Sequence, residues 1–289
     1  MLLMNFNSRP KSLILKQILL KNFSGYAIIK IVCTFILLNH GYEPQGIPSR
    51  IKSGCMNIII TGASKGIGAE LVKTLCKHKG NQIVALARSV DGLRRLTAEC
   101  QKINPSCKIM TIEFDLVQFD FYPFILQKID TFFHRCDILV NNAGKLINRS
   151  FDKIELQDFD DIYNVNIKGL FFFTQLILPM MNKGGHIVNI SSMGGIQGSK
   201  KYPGLSAYSS SKGAVSVFTE ALAEELKESE ISVNCLALGG VHTEMFERAF
   251  PGVKALQSPP QMAQFIADFA VTGNRFFNGK VIPVSQSIP

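Results

Sequence analysis

The feature that most narrows what this chain can fold into is a rhythm that begins at Met56. From there, short apolar runs alternate with longer stretches of helical periodicity. Seven runs read as strands: 57–60 (NIII), 82–87 (QIVALA), 108–116 (KIMTIEFDL), 137–144 (DILVNNAG), 184–192 (GGHIVNISS), 231–238 (ISVNCLAL) and 279–285 (GKVIPVS). After the first of them, Ile67, Leu71 and Leu75 recur at four-residue spacing, which places side chains on one helix face. Further helices are expected at 91–103, 119–135, 156–181, 206–229 and 258–270. Asp91 is expected to cap the second helix, and Pro123 falls early in the third, where proline is tolerated. Apolar strands alternating with helices predict an α/β fold: a Rossmann-like, doubly wound, seven-stranded parallel sheet with helices on both faces. It is expected to form one domain over residues 56–289.

The first 55 residues break this rhythm and carry most of the net positive charge. They hold seven Lys/Arg against a single acid, Glu43, whereas the whole chain has a formal net charge of +9. The basic balance therefore belongs to this extension, and a nucleic-acid partner for the main domain loses its support. The apolar run at 26–38 is interrupted by Lys30 and falls short of the about 20 residues a membrane-spanning helix needs. The Pro/Gly-rich stretch 41–54 reads as a linker. Residues 1–55 are read as an extension upstream of a natural start at Met56; a targeting segment or a membrane tether is the alternative. Seven cysteines without a CxxC pair and five histidines without HExxH predict reduced thiols, a cytoplasmic setting and no metal.

The turn 61–68, TGASKGIG, joins the first strand to the first helix. Gly62, Gly66 and Gly68 allow backbone angles barred to other residues and let the chain approach a pyrophosphate closely. The backbone of Ser64, Lys65 and Ile67 completes the turn, and the helix that follows offers unpaired N–H groups to the anion. An acid at the end of the second strand would bind a ribose 2′-hydroxyl. Here Ala87 and Arg88 stand there instead, and Lys65 adds a second cation. Two cations suit a 2′-phosphate, so the expected cofactor is NADP(H).

A tyrosine and a lysine four residues apart, Tyr208 and Lys212 in YSSSK, share a helix face and could exchange protons. The spacing alone is weak, since Tyr26 and Lys30 repeat it in the extension. Context decides. With TGASKGIG, NNAG (141–144), NISS (189–192) and YSSSK in this order, the chain resembles the short-chain dehydrogenase/reductase family. It is most similar to the single-domain branch that includes 3-oxoacyl-[acyl-carrier-protein] reductases and carbonyl reductases. The resemblance covers essentially all of residues 56–289.

Position by position, the resemblance implies an active tyrosine at Tyr208, its lysine at Lys212 and an active serine at Ser192, with Ser191 as the other registration. Asn166, in NVNIKG, matches the fourth member and is expected to support a water linking Lys212 to solvent. Asn142, Ala143 and Gly144 are implied to contact the cofactor, Asp115 its adenine and Thr243 its carboxamide. A free tyrosine titrates near pH ~10, so a positive Lys212 one turn away is expected to stabilise its phenolate. Tyr208 could then donate a proton to a carbonyl oxygen that Ser192 holds.

Two features depart from the family pattern. Leu238 precedes Gly239 and Gly240 where Pro-Gly is usual, which is expected to loosen that turn. The segment between Ser192 and Tyr208 is longer than usual, and its Lys200, Lys201 and Tyr202 read as a solvated loop or as the substrate mouth. Met245, Phe246 and Phe250 suit a lid over an apolar substrate. The expected function is reduction of a small-molecule carbonyl or an acyl thioester by a homo-oligomer, a tetramer or dimer. Other substrates (a sugar, pterin or quinone) and a non-catalytic NADP-binding regulatory protein remain open.

Overall fold

The structure, a computed structural model, describes residues 55–286. The extension, with its Tyr26 and Lys30, lies outside the described residues. The described chain forms seven strands: β1 (Asn57–Thr61), β2 (Gln82–Ala87), β3 (Lys108–Glu113), β4 (Cys136–Asn141), β5 (Met181–Ser192), β6 (Ser232–Leu238) and β7 (Val281–Val284). They make one sheet in the order β3-β2-β1-β4-β5-β6-β7. All six pairings are parallel. Both sheet edges are reached by chain moving outward from the β1/β4 seam, so the tops of these two strands lie at the topological switch point. In such sheets that crevice is where ligands bind.

The helices are α1 (Gly66–Cys76), α2 (Val90–Ile103), α3 (Tyr122–Asp130), α4 (Leu156–Tyr163), α5 (Leu170–Ile177), α6 (Ser206–Glu225), α7 (Glu244–Ala249) and α8 (Pro259–Thr272). Alternation along β1 shows how the two layers form. Ile58 and Ile60 point into a core shared with Leu71 and Leu75 of α1, Leu96 of α2 and Ile266 of α8. Ile59 points the other way, into a core with Tyr122 of α3, Phe173 of α5 and Ala223 of α6. Successive strand residues face opposite sides, and both sides are apolar because both are covered.

Several local expectations are corrected. The cap of α2 is Ser89, whose hydroxyl accepts from the Gly92 amide, while Asp91 lies within the first turn. Serine leaves the helix start extended and reaches back to the free N–H groups, which Asp91, already helical, cannot do. The expected helix over 156–181 is two helices joined by a π-helical segment, Asn164–Gly169, and β5 already begins at Met181. The third strand stops at Glu113, and the stretch after β6 contains the short helix α7. Among the described residues, no helix is long and apolar enough to cross a membrane.

Phe173 is fully buried and meets Tyr122 edge to face at 6.1 Å between ring centroids. Phe173→Ala is expected to cost about 3–5 kcal/mol in urea denaturation. Phe124→Ala, at a 60% exposed position on α3, is expected to stay within about 0.5 kcal/mol of wild type. Equal effects at the two sites would contradict this assignment of the core.

Candidate active site

The cleft over the switch point begins with a staple between the ends of β1 and β4. The Thr61 hydroxyl accepts hydrogen bonds from the amides of Asn142 and Ala143, each at 3.1 Å. In return the Asn142 side chain donates to the carbonyls of Thr61 and Gly62 at 3.0 and 3.1 Å. The two turns expected to meet a cofactor are thereby held against each other with little space between. Gly62 has φ +68°, and a Cβ there would fall 2.7 Å from the Cα of Ala143. A Cβ on Gly68 would fall 2.3 Å from the Gly62 carbonyl oxygen. Glycine is required at these two positions by contact, not by turn propensity alone.

α1 starts directly behind this turn, with Lys65 preceding its first residue and no side chain capping it. Its first N–H groups and the positive end of its dipole thus face the cleft, which suits a pyrophosphate. The residues present fit a dinucleotide: a cradle that side chains would fill and a helix start unclaimed by any side chain. The cleft encloses about 1100 Å³. That is at the upper end of small-molecule sites and leaves room for two ligands.

At the end of β2, Arg88 is exposed and lies 3.5 Å from the Asp115 carboxylate. The other Asp115 oxygen accepts from the Val117 amide. Lys65, also exposed, pairs with Glu244 at 2.6 Å. Arg95 of α2 also lines the cleft and, among the described residues, makes no ion pair.

The opposite end gathers Ser192, Tyr208 and Lys212 on one wall. Lys212 is almost fully buried, with its ammonium donating to the Ile190 carbonyl at 2.9 Å. Burial lowers its pKa to about 8, because the charged form loses its water. Its Nζ stands 5.9 Å from the centre of the Tyr208 ring, one helical turn away on α6. The two serines separate cleanly. Ser191 is buried and donates to the Lys212 carbonyl, whereas Ser192 lines the cleft with Tyr208 and its hydroxyl accepts from the Gly194 amide at 3.2 Å. Tyr208 departs from expectation: burial raises its pKa, and the neighbouring Ser192 hydroxyl only partly opposes that rise. The Lys212 ammonium, 5.9 Å from the centre of the ring, donates to the Ile190 carbonyl instead.

Asn166 sits in the π-helical segment, which turns it inward and leaves it completely buried. Its side chain accepts from the Lys145 amide at 2.7 Å and donates to the Lys145 carbonyl and the Ser211 hydroxyl. Both hydrogens of the amide nitrogen are therefore committed to neighbouring protein groups. Gly144 lies between the two groups: a Cβ there would stand 3.4 Å from Lys212 Nζ and 3.5 Å from Asn166 Oδ1. Thr243 caps α7 with its hydroxyl and sits opposite Gly66. Leu238 is buried, and the turn after it is tied down by the Gly239 amide donating to the Val284 carbonyl at 2.9 Å. β7 thereby supplies a brace to the turn where the family pattern has a proline.

The substrate-side wall is built from three loops that sequence reading did not join. Tyr202 meets Phe250 edge to face at 5.5 Å, and Phe250 packs on Phe246. Lys201 is braced to its own loop through Ile196 and Ser199, and Lys200 lies over the Tyr202 ring. Asn148 ties these parts together, donating to the Ala249 carbonyl at 2.7 Å while its oxygen crowds Gly204. No motif marks Asn148, so nothing in the sequence could have found it. Thr61, by contrast, is the first letter of the glycine-rich turn.

A family model described as short chain dehydrogenase matches residues 56–254. The 3-oxoacyl-[acyl-carrier-protein] reductase FabG of Thermotoga maritima is 32% identical over 246 residues, covering 80% of this chain and 96% of that protein. Carbonyl reductase [NADPH] 2 of Sus scrofa is 34% identical over 212 residues, covering 72% of this chain and 78% of that one. Among solved structures, a short chain dehydrogenase from Mycobacterium paratuberculosis bound to NAD superposes with a TM-score of 0.73 at 25% identity. It spans 82% of this chain and 98% of its own. The chain belongs to the short-chain dehydrogenase family, and it is an oxidoreductase of the kind that uses a nicotinamide cofactor.

Gly68→Ala is expected to weaken nicotinamide-nucleotide binding by about tenfold or more, since the new methyl forces the turn open. Gly184→Ala, at φ +75° with open space around it, is the control for backbone strain alone. Fluorescence titration of both variants checks this; equal binding by the two would refute the cradle.

Proposed function

We propose that this oxidoreductase reduces a carbonyl to an alcohol with NADP(H), with Tyr208 as the proton donor and an apolar ketone, such as a 3-oxoacyl thioester, as substrate. The observation that carries the reading is the convergence of Ser192, Tyr208 and Lys212 on one wall of a cleft whose other end is the glycine cradle. The bound cofactor supplies the hydride. Gly62, Ser64, Gly66, Ile67 and Gly68 hold its pyrophosphate through the turn and the start of α1. Asn142, Ala143 and Gly144 line the floor, Asp115 meets the adenine and Thr243 the nicotinamide end. Preference for NADP(H) is supported by the absence of an acid at the end of β2 and by Arg88, Lys65 and Arg95 lining the cleft.

Ser192 donates a hydrogen bond to the carbonyl oxygen, orienting it and easing the charge that grows there. Tyr208 gives its proton to the same oxygen, and its raised pKa keeps it protonated and ready to do so at neutral pH. The proton lost from Tyr208 leaves a phenolate one turn from Lys212, whose ammonium is then its nearest stabilising charge. Asn166 anchors the Lys145 backbone and Ser211, holding the floor of the site beside Lys212. The wall formed by Tyr202, Met245, Phe246 and Phe250 favours an apolar substrate.

Phe171 of α5 meets Phe218 of α6 with tilted rings 5.0 Å apart; Phe171 is 42% exposed, and Val217 on α6 is 65% exposed. This apolar face supports assembly into a homodimer or tetramer. The described cysteines are all free, in keeping with a reducing, cytoplasmic setting.

Tyr208→Phe is expected to lower kcat for NADPH-dependent reduction of a carbonyl panel by about a thousandfold or more while NADPH binding persists. Full turnover in the variant would sink the assignment. A pH profile gives a second check. The Lys212 ammonium is populated below pH about 8 and lost above it. kcat/KM for reduction is therefore expected to fall above pH about 8, and a rate that holds constant to pH 10 would contradict the role of Lys212.

A further inference from the structure

The pairing of Lys65 with Glu244 is not needed by the mechanism above, yet it bridges the glycine-rich turn and the first residue of α7 at 2.6 Å. We propose that Glu244 sets the cofactor preference of this cleft, its carboxylate competing for Lys65 with the 2′-phosphate that distinguishes NADP(H) from NAD(H). The inference rests on the nicotinamide-nucleotide reading of the cleft and goes beyond it by assigning a selectivity role to the lid helix.

Both cations that the sequence offers to a 2′-phosphate already face a carboxylate: Arg88 faces Asp115, and Lys65 faces Glu244. The two pairs are not equivalent. Asp115 follows β3 and belongs to the sheet framework, with one oxygen held by the Val117 amide. Glu244 belongs to a six-residue helix in the segment after β6, so its position depends on where that segment rests. Lys65 and Glu244 are each about half exposed or more, and such pairs contribute little. A phosphate monoester carries about −1.5 to −2 charge and three acceptor oxygens, so it outbids a single carboxylate for the ammonium. The exchange does not orphan Glu244, because Arg248, one turn along α7, already pairs with the same carboxylate.

NAD(H) presents a hydroxyl at that position and gives Lys65 no reason to leave Glu244. The lid helix then stays pinned to the turn, with Thr243 opposite Gly66. NADP(H) draws Lys65 away and releases that pin. Glu244 thus subtracts from the NADP(H) preference that Lys65, Arg88 and Arg95 would otherwise confer.

The test is equilibrium binding, read from the fluorescence of NADPH and NADH titrated with the full chain, so it needs no turnover. Glu244→Gln keeps the shape and removes the charge. It is expected to tighten NADPH about two- to fivefold, in line with the modest strength of an exposed ion pair, and to leave NADH unchanged. In a Lys65→Met background the same substitution is expected to have no effect on either nucleotide. Equal shifts for NADPH and NADH, or a gain that survives Lys65→Met, would overturn the inference. Binding of neither nucleotide by the wild-type chain would overturn the functional reading first, and this inference with it.

Discussion

The rest of the structure depends on the exchange of hydrogen bonds between Thr61 and Asn142 across the β1/β4 seam. A doubly wound sheet leaves a crevice where its strand order reverses, but a crevice becomes a cradle only when the two turns are fixed against each other. Here a threonine hydroxyl accepts from two successive amides, and an asparagine amide returns to two successive carbonyls. Backbone groups of each turn are satisfied by one short side chain from the other, so the turns need no bulky side chains to brace them. That is why Gly62 and Gly68 can sit in contact with neighbouring backbone and why any side chain there would compete with a ligand.

At the far end of the cleft the governing term is burial. Lys212 is held out of water with its ammonium on the Ile190 carbonyl, and Tyr208 loses the solvation that a phenolate would need. The two shifts run in opposite directions, the lysine downward and the tyrosine upward. In this state the pair rests as a protonated phenol beside a weakly basic lysine, a resting form suited to giving a proton rather than taking one. The π-helical segment that carries Asn166 keeps this floor in place by spending the asparagine amide on Lys145 and Ser211.

Much of this was legible in the sequence, for identifiable reasons. Strand and helix periods announced the α/β alternation, and glycine spacing between a strand and a helix announced the cradle. The order of four motifs pointed to Tyr208, which lines the cleft with Ser192 and Lys212. What stayed hidden depends on long-range contact. Nothing local distinguishes Asp91 from Ser89 as a cap until the chain path before α2 is known, nor shows that β7 braces the turn after Leu238. The partnership of Lys65 with Glu244 spans 179 residues, and Asn148 reaches 101 residues to Ala249. The upward shift of Tyr208 was missed because a motif supplies its charged neighbour but not its loss of water.

Tyr202, Phe246 and Phe250 line the same cleft as Tyr208, and Asn148 ties their loops into one surface from behind. Together with the cradle, this surface makes one cleft of about 1100 Å³, roomy enough for a nucleotide and a second ligand. The most direct test is to supply NADPH deuterated at the transferable position of its nicotinamide, together with a 3-oxoacyl thioester and a panel of smaller ketones. The label in the products is then located by mass spectrometry and NMR. The account predicts one deuterium on the new carbinol carbon of an apolar ketone for each NADPH consumed. Tight NADPH binding with no label transferred to any carbonyl would contradict it.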